Sequence, residues 1–396
     1  MNRALIAGGG IAGMAAALAL AREGCPVTVC EQAAAPAEVG AGLQMSPNAT
    51  KVLRMLGVFD AVAARAFRPV TAVMRDGCSG RLIYRVALGA MSVARWGAPY
   101  LHVHRVDLLE ALTIAARLAG ADIRGGTRVE GYACHPEGPV LKLAGGEILA
   151  GDLVIGADGI RSALRSQLNG PEAPEFTGQI AWRGTIPAGQ LPAGLVAPNV
   201  TVWAGPGRHL VTYCLRGGSL VNFVAVEERQ EWTDEGWSAP GDPADLRRAF
   251  TGWHRDVTAL LDHVGETFLW GLFGRPEQVR WVDGPMVLIG DAAHPMLPFM
   301  AQGAAMALED VAVLVCKLRA GGDVSAALRA YEECRWPRVA RVQQKSVENG
   351  KLFHRRPGLA RQGHWGLVSA VTRLAPGLAA GQLDWLYGHD ATEDQQ

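Results

Sequence analysis

An α/β fold with an inserted antiparallel sheet and a helical C-terminal part is what this sequence of 396 residues predicts. Three observations carry it. Residues 3–31 read strand, glycine-rich turn, helix, strand. Residues 175–275 break into short apolar runs separated by turn clusters, the texture of an antiparallel sheet. At 286 the α/β texture resumes, and from about 305 onward the chain reads as helical. No internal repeat or low-complexity linker stands out, so the sheet region reads as an insertion rather than a tethered unit.

In order, Ala4–Ala7 is a strand, Gly8–Gly13 a turn, Met14–Glu23 a helix and Pro26–Glu31 a strand. A helix follows over Pro47–Leu56, then turns at Asp76-Gly77 and Ser79-Gly80 around a strand-like Arg81–Val86. Tyr100–His104 reads as a strand and Val106–Leu118 as a helix; Ala121–Arg124, Leu141–Leu143 and the buried Leu153–Ala157 are further strands. The inserted sheet takes Gln179–Ile186, Val200–Trp203, His209–Leu215 and Leu220–Val226, the last two joined by a hairpin at Arg216–Ser219. Met286–Ile289 is the last strand, and Glu393–Gln396 a polar tail outside the fold.

The bulk numbers describe an ordinary globular protein: 49% apolar, 19% charged, with 38 basic residues against 38 acidic. A balanced charge offers no field for nucleic acid or an anionic membrane. Seven cysteines lie scattered, with no spacing that suits zinc, which points to a reducing cytoplasm and no metal site. Arg3 and the apolar residues after it loosely mimic a signal peptide, but glycines 8–10 would interrupt its apolar core. No uncharged apolar run reaches the length of a membrane span.

Gly8-Gly9-Gly10-Ile11-Ala12-Gly13 fits G-x-G-x-x-G. Gly8 permits the tight turn, Gly10 lets a pyrophosphate approach the backbone, and Gly13 lets the helix pack on the sheet. A lone motif of this kind is weak evidence. Here it follows a strand, opens a helix and leads to Glu31 at the end of the next strand, a carboxylate suited to ribose hydroxyls. An adenine dinucleotide is expected, and the motif alone leaves NAD or FAD open. Residues 151–162 (GDLVIGADGIRS) form a second such region, a short strand ending in Asp158-Gly159 with Ser162 and Arg165 behind it. In residues 286–310 (MVLIGDAAHPMLPFMAQGAAMALED), a strand runs into Gly-Asp, a proline-broken loop and a Gly-Ala helix start. A helix start offers unpaired N–H groups and partial positive charge to an anionic group.

These three segments, in this order, resemble the single-component FAD-dependent aromatic hydroxylases, the para-hydroxybenzoate and salicylate hydroxylase family. The resemblance extends through GAGLQMSPNA (40–49), HRVDLLEAL (104–112), YEECRWPR (331–338) and DWLYGHDA (384–391). It implies a Rossmann-like FAD-binding domain from 1–70, 100–174 and 276–340, a substrate domain from 71–99 and 175–275, and a C-terminal helical segment and tail over 341–396. It also implies that Gly8, Gly10, Ile11, Ala12, Gly13 and Glu31 hold the ADP half of FAD. Arg105 then lies along the cofactor, Asp158 serves FAD and the nicotinamide cofactor, and Asp291 sits near the ribityl chain and pyrophosphate. Gly303, Ala304 and Ala305 face the N1–C2 edge of the flavin, where a helix start stabilises the anionic reduced ring.

The chemistry implied is reduction by NADH or NADPH, with NADH favoured, capture of O2 as a C4a-hydroperoxide, and oxygen transfer to a small phenolic aromatic acid. Pro298 is placed near flavin and substrate, holding the loop and exposing a carbonyl. On the inserted sheet, period two puts His209, Val211 and Tyr213 on one face, and His-x-x-x-Tyr recurs there in the salicylate-type branch. The pair is read as a proton relay to a substrate hydroxyl, against a solvent-facing polar row. Arg183 is a candidate for a carboxylate, or a surface arginine; His294 reads as a buttress of its loop. PFMAQGAAMALED resembles the hydroxynicotinate branch, yet Phe299 and Gln44 stand where that branch carries histidines. That favours a salicylate or hydroxybenzoate over a hydroxypyridine carboxylate such as 6-hydroxynicotinate. The rivals are a flavin reductase or dehydrogenase that does not oxygenate, and a non-catalytic dinucleotide-binding regulator. A cytoplasmic monomer or homodimer is expected.

Overall fold

The computed structural model describes residues 3–34, 42–171, 174–232, 239–275 and 280–393. Residues 40–41 of one motif and 394–396 of the polar tail lie outside the described residues.

Four strands, Ala4–Ala7, Val27–Cys30, Leu153–Gly156 and Met286–Leu288, are buried along their whole length. Strands this apolar need cover on both faces, the condition of a parallel sheet sandwiched by helices. They form it: the sheet runs Val282–Asp283, Met286–Leu288, Leu153–Gly156, Ala4–Ala7, Val27–Cys30, Asp122–Arg124. All neighbours are parallel except the antiparallel edge strand Val282–Asp283. The alanine-rich helix Ile11–Arg22 packs tightly between helices Arg105–Leu118 and Gly303–Arg319, because small side chains let the backbones approach. It begins at Ile11, three residues before the expected start: the glycine turn opens directly into the helix.

The second sheet has eight strands, in the order Ala239–Gly241, Thr267–Gly274, Glu175–Pro187, Leu220–Glu228, Arg208–Leu215, Asn199–Gly205, Thr71–Asp76, Leu82–Ala87. One face packs Leu210, Phe223 and Trp182 against Leu246 and Leu260 of helices Pro243–Ala249 and Arg255–Asp262, and against Phe250, the C-cap of the first. The sequence reading missed those two helices. A signal was present: Asp242 caps the first, accepting from Ala244 N at 2.7 Å with Pro243 in the first turn. A short pair, Gly42–Met45 with Leu101–His104, and an antiparallel sheet over Val129–Ala150 complete the strands described.

The helix Val324–Phe353 spans 30 residues, about 45 Å at 1.5 Å per residue. It starts beside the parallel sheet and ends against the eight-stranded one, with His354 as its C-cap.

Candidate cofactor and substrate site

At the N-terminal turn, Gly8 sits at φ +103°, where a side chain would be strained, and a Cβ there would meet Ala157 O at 2.3 Å. A Cβ on Gly13 would meet Gly8 O at 2.0 Å, so strand and helix cross with room for hydrogen only. Gly10 caps the helix and faces open space. The helix start at Ile11 and Ala12 carries no side-chain cap and no acidic residue in its first turn, which leaves its N–H groups and positive pole to a ligand. Glu31 stands at the end of the second strand. Its carboxylate accepts from Gly9 N at 2.6 Å and Ala33 N at 2.8 Å, so it braces the glycine turn itself.

Ser162 caps the helix Ala163–Asn169, and Asp158 accepts from its first amide, Ala163 N, at 2.8 Å through Oδ2. The Asp158 Oδ1 is buried without a partner, and burial raises the carboxyl, partly offset by Ser162 and nearby amides. Arg165, on the same helix, donates to the carbonyls of Asp291 at 3.1 Å and Ala292 at 3.0 Å, tying this segment to the Gly-Asp loop. The Asp291 carboxylate lies beside the start of helix Gly303–Arg319, 3.9 Å from where a Cβ on Gly303 would stand. Burial raises its carboxyl; the charges of His294, Arg105 and Arg165 act the other way. Arg105, exposed on the first turn of its helix, is thus felt by Asp291 and, across the crevice, by Arg183. The helix start at Gly303, Ala304 and Ala305 likewise carries no side-chain cap and no acidic residue in its first turn. Ala301, just before it, is held at φ +51°, which costs about 1–2 kcal/mol in an L-residue.

That loop is fixed from behind. Gln343, Ser346 and Asn349 of the long helix donate to the carbonyls of Pro295, Leu297 and Phe299 at 3.0, 2.7 and 3.2 Å. Asp310 accepts from Gly290 N at 2.9 Å and from His294 Nε2 at 2.6 Å, so His294 is occupied as a buttress. Arg335 joins Glu309 at 2.7 Å and Asp310 at 2.8 Å, all three fully buried, and Arg338 and Asn48 extend the network. Beyond His294 as a buttress, none of this network was read from the sequence, although YEECRWPR and the Glu309-Asp310 pair inside an apolar helix were its signals. Pro298 opens a 3-10 turn in which its carbonyl accepts from Ala301 N at 3.0 Å. The expected exposed carbonyl is therefore engaged, and Pro298 acts on the loop's shape.

Register defines the face of the eight-stranded sheet turned toward this loop. Across neighbouring strands His209, Val226 and Ala181 form one row, Val211, Val224 and Arg183 the next, Tyr213, Asn222 and Thr185 the third. Directly opposed residues share a face. His209 is 2% exposed and Tyr213 3% exposed, which removes the solvent-facing alternative. The two do not form one relay, however. Four residues along a strand separate them by about 13 Å, and each has its own surroundings. His209 packs on Phe299 and Phe353 at ring separations of 5.3 and 5.2 Å and shares a 2.7 Å contact from Nδ1 with His354 Nε2. Burial, with His354 beside it, pushes the His209 imidazolium well down, so the ring is neutral. Tyr213 lies 4.8 Å from the His102 ring and against Gly42, with its phenol raised by burial. Gln44 accepts from Tyr100 OH at 2.7 Å and stands opposite His102 in the short strand pair. His102 is fully buried and pushed down to about 3 by burial, against the opposing effect of the Cys214 backbone. An imidazole therefore stands at the Gln44 end after all, supplied by the paired strand. Arg183 is buried beside the Trp270 ring, 6.0 Å from its centroid, and burial followed by Arg105 pushes it down to about 10. The surface-arginine alternative does not hold.

The two helix starts, the loop and this sheet face adjoin one another: Gly290 lies against Ala12, Asp291 beside Gly303 and Phe299 against His209. The FAD binding domain family model matches residues 1–346. A 3-amino-4-hydroxybenzoate 2-monooxygenase, PtnB3 of Streptomyces platensis, is 39% identical over 390 residues, covering 98% of this chain and 96% of that protein. A 6-hydroxynicotinate 3-monooxygenase of Bordetella bronchiseptica is 38% identical, covering 88% and 91%. A salicylate hydroxylase solved as its substrate complex superposes with a TM-score of 0.83 at 26% identity, covering 100% and 97%. Fold and site thus define a dinucleotide-binding flavoprotein, and the chain belongs to the FAD binding domain family. It is an FAD-dependent aromatic-ring monooxygenase that draws electrons from NAD(P)H. A reductase that does not oxygenate is not favoured by these relatives. The residues fit FAD: two uncapped helix starts for its anionic parts, the partnerless buried Oδ1 of Asp158, and a glycine turn with space only for a close ligand. Among the described residues there is no cluster that would hold a metal ion, and no helix is long and apolar enough to cross a membrane.

Proposed function

We propose that this enzyme hydroxylates a small phenolic acid of the hydroxybenzoate type, bound flat on Val211 and Val224 between His209 and Tyr213. The carrying observation is the pair of buried polar ends on one apolar sheet face, with Arg183 in the middle row. A ring carboxylate beside Arg183 and Arg105 would relieve the burial of one cation and the repulsion of two. FAD, when bound, supplies electron storage and oxygen activation. Gly8, Gly10, Ile11, Ala12, Gly13 and Glu31 would hold its ADP half, with Arg105, Asp158, Asp291 and Gly303–Ala305 along the rest. Residues 1–70, 100–174 and 276–340 then carry the cofactor, and 71–99 with 175–275 the substrate. His209 presents a neutral imidazole to a substrate hydroxyl; Tyr213, kept protonated by burial, donates at the other end. Phe299 covers the His209 end and excludes water, and Pro298 keeps it there. We place the enzyme in the cytoplasm as a monomer or homodimer, with O2 and a small aromatic acid as partners.

The test is a panel: salicylate, 3-hydroxybenzoate, 3-amino-4-hydroxybenzoate and 6-hydroxynicotinate, each measured for stimulated NADH and NADPH oxidation and for oxygenated product. A phenolic acid should stimulate most, with NADH preferred. Stimulation without hydroxylated product from any member would overturn the reading. The hydroxypyridine acid is the second reading, favoured by the buried imidazole of His102 opposite Gln44; it prevails if 6-hydroxynicotinate alone yields product. His209→Ala and Tyr213→Phe should lower hydroxylation about a hundredfold or more while FAD stays bound. Unchanged turnover would return both side chains to a packing role.

A further inference from the structure

His209 continues away from the crevice into a chain of groups that ends in water. Its Nδ1 lies 2.7 Å from His354 Nε2, and His354 Nδ1 lies 3.1 Å from Glu228 Oε1. Both imidazoles are buried, whereas the Glu228 side chain is 48% exposed. Glu228 opens onto a surface recess lined by Thr177, Gly178, Gln179, Arg229 and Gln230. The ends of the chain are clamped together: Gly207 N donates to His354 O at 3.2 Å, and Glu228 N donates to Gly207 O at 2.9 Å. Gly207 holds φ +63°, with the Glu228 carboxylate 3.2 Å from where a Cβ would stand.

From this geometry we infer that His354 and Glu228 carry the substrate's hydroxyl proton between His209 and solvent. The inference rests on the proposed placement of a phenol at His209. A carboxylate at His354 Nδ1 selects the tautomer that donates to it. His354 Nε2 then accepts from His209 Nδ1, and His209 Nε2 is left bare, facing the crevice as a base. When the phenol O–H breaks, its proton joins His209 Nε2. The Nδ1 proton of His209 passes to His354 Nε2, and the Nδ1 proton of His354 passes to the Glu228 carboxylate and so to water. No electrons change hands, and the reverse passage returns a proton to the product's oxygen. The charged neighbours are few: Arg208 disfavours protonated His354 and is itself balanced by Glu227, which also pairs with Arg229. Phe299 and Phe353, the other rings against His209, are uncharged. Gln179 Nε2 lies 3.4 Å from His354 Nδ1, and its amide turned over would accept from that same N–H. His354 and Glu228 are positioning residues in this account; only His209 meets substrate.

The test has two arms, both on FAD-loaded enzyme with wild type, Glu228→Gln and His354→Gln. Nitrogen-15 spectra of histidine-labelled protein, without substrate, should show His209 as the Nδ1–H tautomer, and a smaller bias toward it in Glu228→Gln, whose amide oxygen is a weaker acceptor than the carboxylate. An Nε2–H tautomer in wild type overturns the relay whatever the substrate proves to be. The second arm follows turnover of 3-amino-4-hydroxybenzoate and salicylate against pH. Both variants should lose about tenfold or more in kcat with KM little changed, and imidazole should restore His354→Ala but not His209→Ala. Unaltered kcat and pH profile in both variants overturn the proton route. The predicted tautomers, with no stimulation of NADH oxidation by either acid, would instead place the fault in the assignment of substrate.

Discussion

Replacing Arg335 with methionine is expected to destabilise the protein by about 3–5 kcal/mol, because removing one partner of a buried ion pair leaves charge without compensation. Arg335 serves two carboxylates at once, Glu309 at 2.7 Å and Asp310 at 2.8 Å. Burial alone would raise both carboxyls. Arg335 and Arg338 for Glu309, and His294 and Arg335 for Asp310, more than offset it and hold both at about 2. A carboxyl depressed in the folded state contributes stability above its unfolded value, about 4, and loses it as pH falls through the folded value. Wild type should therefore weaken between pH 4 and 2, and Arg335→Met should show a lower midpoint at neutral pH with a flatter acid limb. Thermal unfolding from pH 2 to 7 reads both. An unchanged midpoint at neutral pH would mean that the network contributes little. The flavin should loosen too, since Asp310 holds the amide of Gly290 next to Asp291.

Asp291→Ala is expected to give largely colourless protein that folds normally. In the proposed site its carboxylate accepts from FAD hydroxyls, and a hydrogen bond to a charged group contributes about 1.5–3 kcal/mol, a loss of ten- to more than hundredfold in affinity. Burial already raises this carboxyl, so the side chain disfavours the folded state unless a ligand donates to it. The variant should therefore unfold at or above the wild-type apoprotein temperature while binding FAD poorly. Absorbance of the purified protein and titration with FAD decide it; full yellow colour would remove Asp291 from the cofactor site.

The sequence was most informative where structure is local. Glycines in a turn, a fully apolar strand and a helix start each leave their mark within a dozen residues, and these mark the Gly8–Glu31, Asp158 and Asp291 segments. Period two also revealed which residues share a face with His209, because alternation is a property of one strand. What it could not reveal were partnerships across the chain. His354 lies 145 residues from His209, and Arg335 reaches Asp310 across a helix pair. His102 escaped notice because its place beside Gln44 depends on a two-strand pairing between distant segments. That the Pro298 carbonyl also closes a 3-10 turn onto Ala301 escaped notice for a similar reason, since Ala301 is in a conformation that residue type does not announce.

Insertions and deletions offer a last view of the long helix. Each added or removed residue turns everything beyond it by about 100°. A change anywhere between Arg338 and Gln343 would swing Gln343, Ser346 and Asn349 off the three carbonyls they hold, and carry His354 away from His209 in the same motion. The stretch from Arg338 to His354 therefore behaves as a gauge whose length is set to the residue, and the loop over the crevice and the imidazole behind it keep their alignment only together.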